Sequence, residues 1–292
     1  MIGTPFRSWR ILIICGMLVW AVGCEADDAP VDRSDTWADV EAAGEGAVTV
    51  LYVPAEGFAY EDADGELTGL TVEILRLFAD WMRETHDVDL TLNFVEEPDW
   101  RTFYERVQAG AGGVFGLGNV TITEERRAEL QFSPPYMTNI AVLISHEEVP
   151  ELEAWDDWAA TFDGRTLLAF EGTLHEERLR DIQASYAPDA ELAFTDSNDD
   201  ILDRVADGGY VAYIDGYNYW RAVEGGAPLK RHPIGDDPAE EFGIIMPLES
   251  DWDAPVAEFF EEGDGLLARD AYRDLMEEHL GERVVEALDE VQ

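Results

Sequence analysis

The sequence predicts an α/β fold made of two lobes. Short apolar runs alternate with stretches whose apolar residues recur at helical spacing, and this alternation is typical of α/β units on mostly parallel sheets. Two such series of similar length follow one another, which indicates two lobes. With 292 residues, 46% of them apolar, the chain can bury a sizeable core. Ligands of such folds usually lie in the crevice at the carboxyl ends of the strands.

The N-terminal segment has the pattern of a targeting signal. Arg7 and Arg10 precede an apolar run over 11–22 that is too short to span a bilayer comfortably. Small residues then lead into Cys24, and this ending resembles a bacterial lipobox. The resemblance implies that residues 1–23 are a signal peptide and that the Cys24 thiol is lipidated. An ordinary secretory signal with an incidental cysteine is the alternative.

The elements of the first lobe follow an acidic segment, 24–46, of which we expect part to act as a tether. A short helix is expected at 36–43. Further along, Thr71 is a plausible N-cap for a helix whose apolar residues recur at helical spacing from Val72 to Met82. Strands and a second long helix complete the series. The strands are expected at 48–53, 90–94, 114–117 and 140–144, and the helix at 100–110.

The second lobe repeats the same alternation. Its apolar runs predict strands and its helical spacings predict helices, and the C-terminal region from Val256 is expected to be helical and acidic. The strands are expected at 167–170, 192–195, 211–214 and 242–246, and the helices at 174–185 and 201–206.

The charge is extreme and evenly spread. The chain has 64 acidic residues against 19 basic ones, for a formal net charge of −45. Nucleic acid is excluded as a partner, because binding it requires cations that neutralise phosphates. A uniform acidic excess indicates adaptation to high salt, since molar salt screens the mutual repulsion of the carboxylates. The alternative is an acidic protein from a moderate habitat.

A motif in the first lobe carries a family resemblance. Residues 121–126 read Thr-Ile-Thr-Glu-Glu-Arg, and residues 132–136 read Phe-Ser-Pro-Pro-Tyr. Together they resemble the signature of the family 3 extracellular solute-binding proteins, the polar amino-acid receptors of ABC importers. Other stretches agree in order and spacing, so that the resemblance covers about 36–281. These stretches are 58–70, 172–173, 211–215 and 266–281.

The resemblance implies a periplasmic binding protein type II-like fold, in which two crossing segments join the lobes and the ligand cleft lies between them. The crossings are expected near Ser145 and Phe242. The expected domains are lobe 1 at 47–144 and 243–292, and lobe 2 at 145–242.

The resemblance also implies how a small zwitterion is held. Arg126 would pair with the α-carboxylate, and a guanidinium fork suits a carboxylate. Asp215 would accept hydrogen bonds from the α-ammonium. The remaining expected contacts are Thr121 and the backbone around Asn119 in the carboxylate site, Thr173 and the backbone around Gly172 from lobe 2, and Phe58 as an apolar wall.

Each of these residues also has an ordinary structural interpretation. Arg126 can be a surface arginine that pairs with Thr123 or Glu129, Asp215 a solvated acid, and Phe58 plain core. Glu171 is unusual for the family, and it either binds a cationic ligand side chain or points to solvent. Ala55 stands where the family commonly has an aromatic, so the usual stacking wall for the ligand is either missing or supplied by Tyr60. We expect Trp100 and Tyr136 to be structural.

Binding is the favoured function. The sequence has no Gly-x-Ser-x-Gly motif, and its five histidines lack metal-ligand spacing, so we expect no catalysis, no metal and no cofactor. The expected protein is a monomeric lipoprotein that is anchored outside the cytoplasm by its lipid alone and delivers an amino acid to an ABC permease. A stand-alone sensor or scavenger is one alternative. A dehydratase-like enzyme that uses Glu171 near His175 is another.

Overall fold

The computed structural model describes Met1 and residues 32–289. The predicted signal peptide, the lipidation residue Cys24 and the first part of the tether lie outside the described residues. None of the helices within the described ranges has the length and apolar composition needed to cross a membrane.

The α/β prediction is confirmed. The α-helices are α1 Trp37–Ala43, α2 Leu70–His86, α3 Trp100–Ala109, α4 Glu124–Arg127, α5 Trp158–Thr161, α6 Leu174–Tyr186, α7 Asn198–Ala206, α8 Gly216–Glu224, α9 Asp253–Glu261, α10 Asp270–Leu280 and α11 Glu282–Asp289. Short 3₁₀ turns occupy Trp155–Asp157, Pro233–Gly235 and Leu266–Ala268. The strands are β1 Glu45–Tyr52, β2 Tyr60–Glu61, β3 Leu67–Thr68, β4 Asp89–Glu96, β5 Val114–Thr121, β6 Leu130–Phe132, β7 Met137–His146, β8 Thr166–Phe170, β9 Leu192–Thr195, β10 Tyr210–Asp215, β11 Leu229–Arg231 and β12 Asp237–Pro247.

Two long strands connect the lobes. The main sheet of the described chain has the order β4-β1-β5-β12-β7-β10-β8-β9, with β6 beside β12 and β11 beside β7. The strands of each lobe pair in parallel, as predicted, whereas β7 and β12 pair antiparallel to each other and to their neighbours in both lobes. We call β7 and β12 the crossing strands.

The lobe boundaries stay a prediction, but the pairing register of β7 limits where this strand passes from one lobe to the other. Residues of β7 from Met137 to Ala141 pair with β12 over 237–242. Ser145 pairs instead with Val211 of β10 and Lys230 of β11, which belong to the second lobe. This pairing favours a crossing in β7 closer to Asn139 than to Ser145.

Each lobe has its own apolar core. The largest cluster packs helices α2, α9 and α10 onto the first-lobe strands, around Trp252, Phe78 and Phe115. The second-lobe strands bury apolar side chains on both faces, under α6 on one side and under α7 and α8 on the other. Burial on both faces explains why these strands read as unbroken apolar runs in the sequence.

The structure shortens the predicted tether. Asp32 forms an ion pair with Arg106, and the amide of Ser34 donates to the carbonyl of Ala111. The following helix α1 starts after its N-cap Thr36 and buries Val40 against the first lobe. Residues 32–46 therefore belong to the folded part of the chain, and a tether can only precede Asp32.

The predicted N-cap of the second helix is wrong. Helix α2 begins at Leu70 after Gly69, whose φ of 122° is unfavourable for other residues. A side chain at Gly69 would also collide with the carbonyl of Phe58. Thr71 lies inside the first turn, is fully buried and donates its hydroxyl to the Phe58 carbonyl at 2.8 Å. This hydroxyl attaches the helix to the loop before it and does not cap the helix.

Candidate functional site

A cavity of about 640 Å³ lies where the two lobes meet. The first lobe contributes the ends of β1 and β5 and the start of α3. The second lobe contributes residues that follow β8, β9 and β10, so the carboxyl ends of strands face the cavity as expected. The lining residues used below are Glu56, Trp100, Asn119, Thr121, Arg126, Thr173, His175, Asp196, Asp199, Asp215, Tyr217, Arg221 and Glu240.

Arg126 is held at the first-lobe side of the cavity. The Thr123 hydroxyl accepts from its backbone N–H at 3.1 Å and starts the short helix α4. Its guanidinium lies over the rings of Trp100 and Tyr104, at 5.4 and 6.0 Å, and Nη1 donates to the Thr121 carbonyl at 3.0 Å. Burial lowers the pKa of Arg126 from its ordinary value, yet arginine stays charged at neutral pH.

Arg126 has no ion pair with any carboxylate among the described residues. In particular, Glu129 accepts instead from the Tyr104 hydroxyl at 2.9 Å. The predicted alternative of a pair with Glu129 is therefore wrong, and Thr123 accepts from the Arg126 backbone N–H and not from its guanidinium. In a chain of net charge −45, a half-buried guanidinium without an acidic partner points to an anionic ligand group.

Asp215 lies at the second-lobe side of the cavity. It ends β10 and precedes α8, and its side chain makes no capping hydrogen bond to that helix. Its Oδ1 accepts from Asn139 Nδ2 at 2.7 Å and lies 3.3 Å from His175 Nε2. Within the described chain, no hydrogen bond reaches Oδ2. The carboxylate is thus fixed at one oxygen and open at the other.

Thr121 and Thr173 line the cavity as predicted. Thr121 ends β5, and its hydroxyl has no hydrogen bond among the described residues. Thr173 precedes α6, and its hydroxyl donates to the Phe170 carbonyl at 2.9 Å. Asn119 also lines the cavity, in a left-handed backbone conformation with φ 50°.

The Asn119 side chain is already occupied. Its Oδ1 accepts from the Tyr136 hydroxyl at 2.8 Å, and its Nδ2 donates to the Tyr217 hydroxyl at 3.0 Å. Tyr136 is buried, so its structural assignment fits these contacts. Only the backbone of Asn119 remains for a ligand, as the sequence analysis expected.

Three predicted ligand residues do not line the cavity. Phe58 is buried behind Tyr217, with ring centroids 4.6 Å apart. Gly172 has its N–H occupied, because it donates to Glu176 Oε2 at 2.8 Å. Glu171 is exposed. The structure therefore favours the core interpretation of Phe58 and the solvent interpretation of Glu171.

The aromatic residues that line the cavity are not the predicted ones. Trp100 and Tyr217 line the cavity, so the structural assignment of Trp100 needs correction. Tyr60 does not supply the wall, because its hydroxyl lies 3.2 Å from His279 Nδ1. Tyr217 follows a predicted strand and Trp100 begins a predicted helix, but neither position shows where the ring points, because that depends on tertiary packing.

Helix α8 of the second lobe also contacts the first lobe. Arg221 donates to the Glu56 carbonyl at 2.8 Å and pairs with its carboxylate at 3.2 Å. Tyr217 adds the hydrogen bond to Asn119 and the ring contact with Phe58. These contacts cross the cavity edge, so they can only persist when the lobes are close together.

This combination, two α/β lobes with crossing strands and a polar cavity between them, defines a type II periplasmic binding protein. The chain belongs to the bacterial extracellular solute-binding proteins, family 3, which it matches over residues 48–277. A search of curated protein sequences found no match.

Solved structures of this fold are similar at low sequence identity. The arginine-, lysine- and histidine-binding protein ArtJ from Geobacillus stearothermophilus has a TM-score of 0.63 at 19% identity, covering 82% of this chain and 99% of its own. An ABC uptake substrate-binding protein from Streptococcus pneumoniae with bound histidine has a TM-score of 0.65 at 17% identity, covering 86% and 98%. An ancestral amino acid-binding protein, described as a precursor of cyclohexadienyl dehydratase, has 0.60 at 17%, covering 83% and 98%. At these identities the likeness shows the fold.

Proposed function

We propose that this protein captures an amino acid outside the cytoplasm and delivers it to an ABC importer. The observation that carries the proposal is a cavity that contains the unpaired guanidinium of Arg126 from one lobe and the carboxylate of Asp215 from the other. These two groups match the α-carboxylate and α-ammonium of a zwitterion. Charge-assisted hydrogen bonds at both ends give such a ligand orientation as well as affinity.

Capture works by lobe closure. An open form exposes the two half-sites, and a ligand that bridges Arg126 and Asp215 stabilises the closed form, because only that form makes both contacts. The crossing strands absorb the hinge motion. The pair of Arg221 with Glu56 and the hydrogen bond of Tyr217 with Asn119 form on closure and add to the stability of the closed form.

The ligand is an amino acid with a polar or cationic side chain. Glu56 and Glu240 are paired with Arg221 and Arg178, but the cavity lining also contains the exposed carboxylates of Asp196 and Asp199, which repel an acidic side chain and attract a cationic one. The printed ligands of ArtJ and of the histidine-bound pneumococcal protein support the same class.

The protein is anchored to the membrane by lipid on Cys24 and works as a monomer at high salt. The lipobox pattern supports the anchor, and the net charge of −45 supports the high-salt habitat. A stand-alone sensor or scavenger uses the same binding site and differs only in lacking a permease. The dehydratase-like alternative is weakened, because Glu171 is exposed and the carboxylate beside His175 is that of Asp215.

A thermal-shift screen tests the proposed function. The chain without residues 1–24 is melted in ~2–3 M KCl, where the Debye length is below about 3 Å, with each of the amino acids. A ligand at 100 times its Kd adds about 2.7 kcal/mol, or roughly 5–10 °C in Tm for this size. We expect arginine, lysine, histidine or glutamine to produce this rise and aspartate to produce none. No rise with any amino acid, in protein refolded to remove bound ligand, contradicts the proposal.

Replacing Asp215 tests the ammonium site. Asp215→Asn keeps the side-chain shape but removes the charge, so we expect the affinity for the amino acid identified in the screen to fall about 10–100-fold. Asp196→Asn is the matched control, because it removes the same charge from the cavity lining away from the ammonium site. A single exposed carboxylate contributes little to the field of the cavity at ~2–3 M salt, so we expect this variant to change affinity less than about threefold. Isothermal titration calorimetry measures both. Equal losses of affinity in the two variants would mean that the ligand responds only to the negative potential of the cavity and makes no specific contact with Asp215.

A further inference from the structure

A buried polar cluster lies directly behind Asp215. It joins helix α6 and strand β10 of the second lobe to both crossing strands, through Asn139, His175, Arg178 and Glu240. Asn139 is fully buried, and Glu240 and His175 are 3% and 7% exposed. Burying a polar group without a hydrogen-bond partner costs free energy. The hydrogen bonds within the cluster therefore show which side chains it holds in place.

Asn139 bridges two carboxylates. The two N–H bonds of its Nδ2 are directed to Asp215 Oδ1 at 2.7 Å and to Glu240 Oε2 at 2.8 Å. The other oxygen of Glu240 accepts from Arg178 Nη2 at 2.6 Å. Arg178 also pairs with Asp237 at 2.8 Å. Two carboxylates of the crossing strand β12 therefore fix the position of the Arg178 guanidinium.

Arg178 in turn selects one tautomer of His175. Its Nη1 lies 3.2 Å from His175 Nδ1. A guanidinium has only donors, so Nδ1 must accept and carry no proton. The proton of the neutral ring is then on Nε2, which lies 3.3 Å from Asp215 Oδ1. The orientation of the ring is supported by stacking on Tyr213, with centroids 6.4 Å apart.

A neutral donor at this place has a specific effect. An imidazolium would cancel the charge of Asp215, whereas a neutral N–H orients the carboxylate and leaves its charge for a ligand cation. Both neighbours of Asp215, Asn139 and His175, approach Oδ1, which leaves Oδ2 for the ligand.

We propose that His175, held in its Nε2–H form by Arg178, is a positioning residue that together with Asn139 orients the Asp215 carboxylate toward the ligand ammonium. The inference rests on the proposed function, because it assigns to these residues a role in amino-acid binding. The charged and titratable groups around His175 are Arg178 on its own helix, Asp215 and Tyr213 on β10, and Glu240 and Asp237 on β12 behind Arg178.

Two variants of His175 separate positioning from packing. His175→Leu fills the space without a donor, and His175→Gln places an amide N–H near the position of Nε2. The full-length chain is titrated with L-arginine and with 5-guanidinopentanoate, which lacks the α-ammonium. We expect His175→Leu to weaken L-arginine binding about tenfold and to leave 5-guanidinopentanoate unchanged, and His175→Gln to stay within about threefold of the wild type.

The outcomes that overturn the proposal are distinct. Equal losses for both compounds, or no rescue by His175→Gln, indicate a structural role for His175. If L-arginine does not bind the wild type, L-glutamine and its deamino analogue replace the pair. If the wild type binds no amino acid at all, the proposed function fails, and the positioning role fails with it.

The tautomer is measured without any ligand. Long-range ¹H–¹⁵N correlation spectra of the histidine-labelled full-length chain distinguish a protonated ring nitrogen from an unprotonated one, and His175→Gln identifies the signal. We expect Nε2 protonated and Nδ1 unprotonated at pH 7. We expect Arg178→Met to relax this preference, since the group that requires Nδ1 to accept is gone. A proton on Nδ1 in the wild type overturns the proposal whatever the binding data show.

Discussion

Arg126→Ala is expected to abolish amino-acid binding while the fold is retained. The guanidinium replaces the hydration of the ligand carboxylate with two charge-assisted hydrogen bonds, each of which contributes about 1.5–3 kcal/mol. Their loss lowers affinity by at least about 100-fold. The fold is retained because, among the described residues, the side chain donates to the Thr121 carbonyl alone, and β5 keeps its pairing with β1 and β12. Calorimetric titration measures the affinity, and a thermal melt of the unliganded protein checks the fold.

Arg127 offers a matched control on the same short helix. It is exposed and lies over Phe132, away from the cavity lining. Arg127→Ala therefore removes the same charge without touching the site, and we expect wild-type affinity. Arg126→Lys should recover only part of the binding, since an ammonium cannot form the two parallel bonds of a guanidinium. Affinity like that of the wild type in Arg126→Ala would remove the basis of the carboxylate assignment.

The fold was predictable wherever burial is complete on both faces of a strand. The apolar runs at 167–170 and 211–214 predicted β8 and β10, whose central residues are buried, to within one residue at each end. The edge strand β9 was predicted at its observed bounds although Phe194 is exposed, so here the apolar composition and not complete burial was the signal. Strands β6 and β11 were missed because three residues are too few to show a period. The first-lobe strand β5 was underestimated because of its glycines. A Cβ at Gly116 would lie 2.6 Å from Ile245, so this glycine marks close packing against β12 and not a weak strand.

Site residues that belong to a local sequence motif could be predicted, whereas residues brought together only by the fold could not. Arg126 and Thr121 were found through a contiguous signature, and Asp215 and Thr173 through positions that follow strands. Glu240 gave no signal, because it is one of 64 acidic residues, and only the crossing of β7 and β12 brings it to Asn139 and Arg178. The role of His175 likewise depends on contacts between residues far apart in the chain, which no spacing rule contains.

Removal of salt is expected to unfold the protein. Even if each of the 19 basic residues paired with one acid, a net charge of −45 would remain uncompensated. Several arginines of the described chain pair with an acid on their own helix, as Arg83 does with Asp80 and Arg204 with Asp200. Such pairs do not offset the repulsion between carboxylates of different helices and strands. At ~0.05 M salt the Debye length exceeds about 10 Å, so neighbouring carboxylates repel one another across the surface, whereas at ~1 M it is about 3 Å.

We therefore expect the native circular dichroism present in ~2–3 M KCl to be lost on dialysis into ~0.05 M KCl, and Tm to rise steadily with salt between these limits. Two controls identify screening as the cause. Sodium chloride and potassium chloride should act equally at equal ionic strength. Sucrose at matched osmolality should restore less of the fold than either salt, because its exclusion from the protein surface favours the folded state but leaves the carboxylate repulsion unscreened. Full native circular dichroism at ~0.05 M salt would mean that the repulsion is small against the stability of the two apolar cores. The acidic surface would then have to be explained by solubility or by a cationic partner, and the case for a high-salt habitat would lapse while the assignment of Arg126 and Asp215 would stand.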